Sequence, residues 1–115
     1  STQKMITGAL LASMKPGATF INSARGAVVD EAALVATLRA RPDVVALLDV
    51  TDPEPPVEGS PLYTLPNVVL SPHIAGSMGD ECRRMGDLAV EQCRQHLAGK
   101  IPQWRISREM SETLA

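Results

Sequence analysis

Three short stretches of the chain are mostly apolar, and none of them has the spacing of an amphipathic helix. They are residues 18–22, 44–48 and 68–70. Short apolar runs between turn residues are typical of strands in a parallel sheet, whose faces are covered by helices. We therefore predict three buried strands, and we predict that the continuous run at 44–48 is covered on both faces.

The segments around these strands carry helix signals. Residues 1–14 are predicted to be helical with a break near Gly8, where Thr7 can cap the residues that follow. Asp30 is a good N-cap for a second helix from Glu31 to Arg39, because the apolar positions there have helical spacing. A long helix is predicted from residue 79 or 80 to residue 98, followed by an amphipathic or irregular tail.

The predicted order is helix, strand, helix, strand, proline-rich loop at 50–66, strand and helix. Strands that alternate with helices indicate a parallel α/β sheet, in which ligands bind at the carboxyl ends of the strands. Arg25, Asp49 and His73 each come shortly after a predicted strand. We therefore expect all three side chains to lie along one rim of the sheet.

The composition argues against several kinds of partner. The net charge is −2, with no cluster of basic residues and only three aromatic residues, which argues against nucleic acid. No apolar run approaches the roughly 20 residues of a bilayer span, and no signal peptide is evident. Cys82 and Cys93 would lie roughly 16 Å apart on one helix, beyond the limit of about 7 Å for a disulfide. We expect reduced cysteines, no metal site, no membrane partner and a cytoplasmic protein.

Four motifs in one order resemble a known family. They are FINSARG at 20–26 with DEAAL at 30–34, LDV with PEP at 48–55, the SPL and LPNV pieces at 60–68, and PHIAG at 72–76. Their order and spacing are similar to those of the D-isomer-specific 2-hydroxyacid dehydrogenases, from about residue 5 to residue 99. The chain resembles the C-terminal portion of these enzymes, which includes the second half of their NAD-binding domain.

This resemblance implies an α/β fold, a partial Rossmann-like parallel sheet with flanking helices, followed by a long connecting helix. Residues 1–78 would form the second half of the NAD(P)-binding domain, and residues 79–115 would lead toward a substrate domain. The chain contains no G-x-G-x-x-G loop, which would hold the dinucleotide pyrophosphate at a helix N-terminus. We therefore expect a truncated chain that lacks the first half of the coenzyme domain and is inactive alone.

The resemblance also implies a reaction, the transfer of a hydride between NAD or NADP and a small 2-keto or 2-hydroxy acid. Arg25 would bind the substrate carboxylate, which matches the planar fork of a guanidinium. His73 would be the acid/base, because imidazole exchanges protons around neutral pH. Glu54, between two prolines, would fix the imidazole tautomer and stabilise the imidazolium.

The implied cofactor-binding residues surround the same rim. Asp49 would accept a hydrogen bond from the nicotinamide carboxamide or its ribose, and small residues would allow a close approach of the cofactor to the backbone. The predicted cofactor-binding set is Ala24, Arg25, Asp49, His73, Ala75 and Gly76. Four of the site residues also have a structural interpretation. Arg25 would then be a structural or surface arginine, Asp49 a turn or N-cap aspartate, His73 a core or strand-capping histidine, and Glu54 a solvated loop glutamate.

Several alternatives stay open at this level. The carboxy-terminal-binding-protein corepressors resemble these dehydrogenases, so a non-catalytic, dinucleotide-sensing protein-binding module is the second interpretation. The 2-hydroxy acid and the choice between NAD and NADP are not determined by these residues. Asp52 is either a substrate-preference residue or a solvated one. The enzyme is expected to be a homodimer, and a half-sheet would expose apolar surface that favours self-association.

Overall fold

The computed structural model describes residues 2–111, and the chain divides between Gly76 and Ser77 into two compact units. The first unit contains a three-stranded parallel sheet in chain order, with two helices. Its elements are α1 (Gly8–Ala12), β1 (Thr19–Asn22), α2 (Glu31–Ala40), β2 (Val45–Leu48) and β3 (Val68–Leu70). Single 3₁₀ turns lie at Gly26–Val28 and Pro61–Tyr63. The second unit contains α3 (Asp80–Leu97) and α4 (Arg108–Ser111). The predicted α/β class, the three strands and the two helices predicted from residue 31 and from residue 79 or 80 are confirmed.

The sheet buries one face and leaves the other largely open. The core is aliphatic, as predicted, and consists of Leu11, Val29, Leu34, Leu38, Val44, Ala46, Leu48 and Leu62. On the opposite face the register places Leu47 between Ile21 and Val69, and those two neighbours are 65% and 55% exposed. The prediction that 44–48 is covered on both faces is therefore wrong. The reason is that the core-forming residues of α1 and α2 all pack on the Ala46 side.

The prediction of a helix over residues 1–14 is also wrong for most of its length. Thr7 does cap α1 through a hydrogen bond from the Leu10 amide, but that helix has only five residues. Ile6 instead forms a parallel bridge with Val29, and its backbone bonds to Val28 and Asp30 at 2.9 and 3.0 Å. Because these bonds use the backbone groups that a helix would need, the segment before Thr7 is extended. Residue 1 lies outside the described residues.

Two side chains fix the ends of α2. The Asp30 carboxylate accepts from the Ala33 amide at 3.1 Å, which confirms the predicted N-cap. At the other end, the buried Asn67 amide donates to the carbonyl oxygens of Leu38, Arg41 and Val44. Asn67 immediately precedes β3, so this side chain ties the end of the helix to the starts of two strands.

The second unit is built on an amphipathic helix that buries none of its side chains. Acidic residues occupy the first turn of α3 and basic residues its last turn, which suits the helix dipole. The segment after it folds back locally, since the Trp104 amide donates to the Gln92 side chain at 3.1 Å. Cys82 and Cys93 are both exposed and not disulfide-bonded. Among residues 2–111, no helix combines the length and the hydropathy that a bilayer span requires.

Candidate active site

A cleft of about 460 Å³ opens at the carboxyl ends of β2 and β3. Its position follows from the topology, because parallel neighbours end at the same rim of a sheet. Its walls mix charged groups with apolar surface from the proline-rich loop. They are formed by Asp49, Thr51, Glu54, Pro55, Pro56, Tyr63, Leu70, Ser71, Pro72 and His73.

His73 and Glu54 meet in this cleft although they come from different strand ends. The ring Nδ1 lies 2.6 Å from Glu54 Oε1, and the two side chains are 45% and 41% exposed. When the ring is neutral, the carboxylate favours the tautomer with the proton on Nδ1, because it can only accept. The ring atom Nε2 is then left to exchange a proton with a bound molecule. This is the pairing that the resemblance implied.

His73 has an unusual backbone conformation. Its φ is +53°, a left-handed value that costs a non-glycine residue roughly 1–2 kcal/mol, although histidine tolerates it better than most residues. The His73 amide donates to the Ser71 carbonyl at 3.0 Å, which closes a tight turn. The turn aims the imidazole at Glu54.

The side chain of Asp49 binds the segment on both sides of His73. Its carboxylate accepts from the Ser71 hydroxyl, the Ile74 amide at 2.9 Å and the Ala75 amide at 2.8 Å. These donors, above all Ser71, favour the charged form and hold the pKa of Asp49 below its ordinary value. Asp49 is only 7% exposed, so the turn rests on a buried, ionised acceptor.

The loop that carries Glu54 is fixed by contacts with the segment after β1. A Cβ on Gly26 would overlap the Thr51 carbonyl oxygen, so only glycine leaves room for this backbone. The Asp52 amide donates to the Glu31 carboxylate at 3.1 Å. The Thr51 hydroxyl donates to the Pro53 carbonyl at 2.9 Å. Gly26 is thus a point of close packing between two loops of the rim.

Arg25 lies on the same rim but is not joined to the pair. Its side chain is exposed, and Nη1 donates to the Ala24 carbonyl at 2.8 Å. The buried Asn22 amide group shapes this loop by binding the Ala24 amide and the Arg25 carbonyl, both at 3.1 Å. Within residues 2–111, no hydrogen bond or ion pair links Arg25 to Glu54 or His73, and Arg25 does not line the cleft.

The other predicted site residues fall in the same loops. Ala24 precedes Arg25 in the β1 loop, and Ala75 and Gly76 end the His73 turn. Gly76 has open space around it, and the Ala75 amide is already used by Asp49. Ser71 and Asn22 were not predicted as site residues from the sequence, and neither was the close packing of Gly26 against Thr51. The only signal for Ser71 was its place between β3 and Pro72.

A parallel α/β sheet with a carboxylate–imidazole pair at its carboxyl rim is typical of one class of protein, the Rossmann-like domains with polar side chains gathered at the strand ends. The family follows from comparison with known proteins. A family model described as the D-isomer specific 2-hydroxyacid dehydrogenase, NAD binding domain, matches residues 1–75. The chain belongs to this family and carries part of its NAD-binding domain.

Individual relatives agree with this assignment. The chain is 42% identical over 96 residues to an (S)-sulfolactate dehydrogenase of Chromohalobacter salexigens, covering 84% of this chain and 31% of the relative. It is 43% identical over 100 residues to glyoxylate/hydroxypyruvate reductase B of Klebsiella pneumoniae strain 342, covering 87% and 31%. The chain therefore spans about a third of the length of the curated relatives it matches.

A solved structure supports the fold and connects it with a dinucleotide. A D-isomer specific 2-hydroxyacid dehydrogenase from Xanthobacter autotrophicus Py2, solved in complex with NADPH and MES, superposes with a TM-score of 0.75 at 39% identity. The match covers 92% of this chain and 43% of that one. The predicted Rossmann-like architecture is confirmed.

Proposed function

We propose that this chain supplies the acid–base half of an oxidoreductase that transfers a hydride between NAD(P) and a small 2-keto or 2-hydroxy acid. The observation that carries the proposal is the 2.6 Å contact between His73 and Glu54 at the sheet rim. A lone exposed histidine would support only a structural role. A histidine oriented by a carboxylate beside an open cleft is suited to proton transfer.

In the proposed reduction, His73 donates a proton from Nε2 to the C2 oxygen of the keto acid as the hydride reaches C2. Glu54 stabilises the imidazolium before the transfer and fixes the ring afterwards. In the reverse direction, neutral His73 removes the hydroxyl proton. Arg25 binds the substrate carboxylate, and the exposed position of its guanidinium leaves it free to turn toward a ligand at the rim.

The cofactor is NAD or NADP, which when bound supplies or accepts the hydride. The residues that would hold its nicotinamide end are Ala24, Arg25, Asp49, His73, Ala75 and Gly76. The hydrogen bonds that Asp49 makes are compatible with this role. Asp49 Oδ1 already accepts two hydrogen bonds and Oδ2 only one, so Oδ2 is the atom with capacity for an amide donor.

For the substrate we propose glyoxylate or hydroxypyruvate, the two compounds after which the Klebsiella pneumoniae reductase is named. Both present the carboxylate and neighbouring carbonyl that Arg25 and His73 would bind. Sulfolactate, after which the Chromohalobacter salexigens relative is named, is the competing substrate. A homodimeric enzyme stays part of the proposal.

The test is a chimera in which this chain replaces the matching third of the Klebsiella pneumoniae reductase. The chimera is assayed with NADH and NADPH on glyoxylate and hydroxypyruvate, with the parental reductase as reference. The proposal predicts turnover by the chimera. A chimera that unfolds cooperatively, and is therefore folded, but oxidises neither cofactor contradicts it.

Three substitutions in the chimera then separate the proposed roles. His73→Gln should lower kcat about 100- to 10,000-fold, the usual contribution of general acid–base catalysis, and Glu54→Gln should lower it less. Arg25→Gln should mainly raise KM, by about 10- to 100-fold, since a charge-assisted hydrogen bond is worth roughly 1.5–3 kcal/mol.

Each substitution has a matched control of the same type elsewhere in the chain. His96→Gln lies in α3, Glu58→Gln lies in the Glu54 loop, and Arg39→Gln lies on the exposed end of α2. These variants should retain the activity of the unmodified chimera. Equal losses in a variant and its control would mean that the loss reflects folding and not the proposed role.

A further inference from the structure

The backbone of His73, the proposed proton carrier, has a conformation that needs stabilising contacts from its surroundings. His73 has a φ of +53°, whereas an unrestrained non-glycine residue prefers negative values. Such conformations persist when the surrounding structure determines them. The contacts that determine this one should therefore control where the imidazole points.

Those contacts converge on one buried carboxylate. Asp49 follows β2, and its three donors all lie in residues 71–75, on both sides of His73. Two donors are backbone amides, which any residue except proline provides. The third is the Ser71 hydroxyl, and it is the only side chain of the three. We call this set, Asp49 with the Ser71 hydroxyl and the amides of Ile74 and Ala75, the aspartate clasp.

We propose that Ser71 is a positioning residue, whose hydroxyl bond to Asp49 keeps the His73 turn in the left-handed conformation that brings the imidazole to Glu54. The inference rests on the proposed function for its catalytic meaning, but the geometry can be tested without activity. Ser71 itself does not touch Glu54 or the imidazole in any hydrogen bond described for residues 2–111. It acts through the turn.

The clasp explains why two loops reach one point. Glu54 and Asp49 belong to the loop after β2, while Ser71 and His73 belong to the turn after β3. Asp49 joins these loops at the base of the cleft, and the His73–Glu54 contact joins them again at its mouth. Without the Ser71 bond, Asp49 would hold the turn only through the amides of Ile74 and Ala75, which both follow His73. The backbone of His73 could then relax toward negative φ, and the contact with Glu54 would be lost with it.

The experiment is NMR spectroscopy of the full 115-residue chain as wild type, Ser71→Ala and Ser71→Thr. Two signals of His73 report on the clasp. A strong cross-peak between its own amide and Hα protons marks positive φ, and a protected, downfield Hδ1 proton marks the bond to Glu54. Ser13→Ala is the matched control, because Ser13 is another exposed serine whose hydroxyl donates, to the Leu10 carbonyl at 2.8 Å.

The proposal predicts both signals in the wild type and in Ser71→Thr, which keeps the hydroxyl. It predicts loss of the Hδ1 signal and weakening of the cross-peak in Ser71→Ala, with no change in Ser13→Ala. Unchanged His73 signals in Ser71→Ala, or their absence from the wild type, overturn it.

The same variants in the chimera connect the clasp with catalysis. Ser71→Ala should lower kcat on the order of 10- to 100-fold, the scale of a misplacement of about 1 Å, and Ser71→Thr should restore most of it. An inactive wild-type chimera with intact His73 signals in the chain would refute the proposed function and leave the clasp standing. An unchanged kcat in Ser71→Ala with altered signals would refute the positioning role.

Discussion

Several residues at the rim fix the backbone on which the candidate site residues lie, through close packing or hydrogen bonds. Gly26 is the clearest case, because the Thr51 carbonyl occupies the space of its missing side chain. Asn22, Ser71 and Asp49 play comparable roles through hydrogen bonds. The positions of the candidate site residues therefore depend on neighbours outside the His73–Glu54 pair.

Gly26→Ala is expected to destabilise the first unit and to displace the Glu54 loop. A Cβ that overlaps a backbone oxygen cannot be accommodated by a side-chain movement, and overpacking of this kind typically costs about 1–3 kcal/mol. Urea unfolding of the two chains measures the difference in free energy of unfolding. The control is Gly76→Ala, which places a methyl group in open space and should change stability by less than about 0.5 kcal/mol. Equal stabilities of both variants would contradict the packing argument.

At the residue scale, the sequence identified the groups but not all of their contacts. Glu54 and His73 were predicted as a pair, and the structure brings them together. Asp49 was assigned to the cofactor on the same resemblance, and its bonds to the His73 turn were not foreseen. Those bonds join residues 22 to 26 positions apart, so they depend on strand register, which no local pattern encodes.

At the scale of elements, N-cap residues and short apolar runs correctly predicted helix starts and strands where no long-range pairing intervened. Asp30 and Thr7 were predicted as caps and they are caps, and β3 occupies the predicted residues 68–70. The failure came at residues 2–6, where a bridge to Val29 captures the backbone. The local sequence there favours a helix, but it contains no information about a pairing partner more than twenty residues away.

The turn between α2 and β2 makes a prediction about pH. The Arg41 guanidinium donates to Asp43 from Nη2 at 2.7 Å and from Nε at 3.1 Å, and the Gly17 amide adds a third bond at 2.9 Å. These contacts, Arg41 first, hold the pKa of Asp43 well below its usual range. A depressed pKa stabilises the fold above the pKa of the unfolded state, about 3.9 for aspartate, and the contribution is lost as the pH falls toward the folded-state pKa.

Thermal unfolding of wild type and Asp43→Asn should therefore differ most at a pH of about 6–7 and converge as the pH is lowered below about 4. The expected direction is a lower Tm for Asp43→Asn at neutral pH. Because both side chains are partly exposed, added salt should reduce the difference. A difference in Tm that grows on acidification would contradict the assignment. Asp52→Asn serves as the control, since Asp52 is exposed and the bond it makes to Glu31 comes from its backbone amide.

At the scale of the whole molecule, the most distinctive feature of the first unit is the exposed apolar face of its sheet. Ile21 and Val69 present apolar side chains on the face away from the core, whereas parallel sheets are normally covered on both faces. The sequence predicted uncovered apolar surface in general terms. The sequence did not indicate which face of the sheet would be exposed, because residues 44–48 are apolar at every position and both faces of that strand are therefore apolar.

This face is expected to make the isolated chain self-associate. The double variant Ile21→Thr and Val69→Thr keeps strand propensity but removes apolar surface, so it should shift sedimentation toward the monomer at high concentration. Val57→Thr is the control, since Val57 is 60% exposed in a loop outside the sheet. A wild-type chain that stays monomeric at the highest concentration would refute the expectation.

In the proposed reaction, His73, paired with Glu54, carries the proton that accompanies hydride transfer. The most direct measurement is the pH dependence of kcat/KM for the chimera in both directions, keto-acid reduction and hydroxy-acid oxidation, with and without His73→Gln. We expect opposite profiles, because reduction needs the imidazolium and falls at high pH, while oxidation needs neutral imidazole and falls at low pH. In His73→Gln the inflection caused by the imidazole should disappear from both profiles. What remains should be a uniform tenfold change per pH unit between the two directions, because the overall reaction takes up one proton. Wild-type profiles of the same sign in the two directions, or an inflection that survives the substitution, would contradict the assignment.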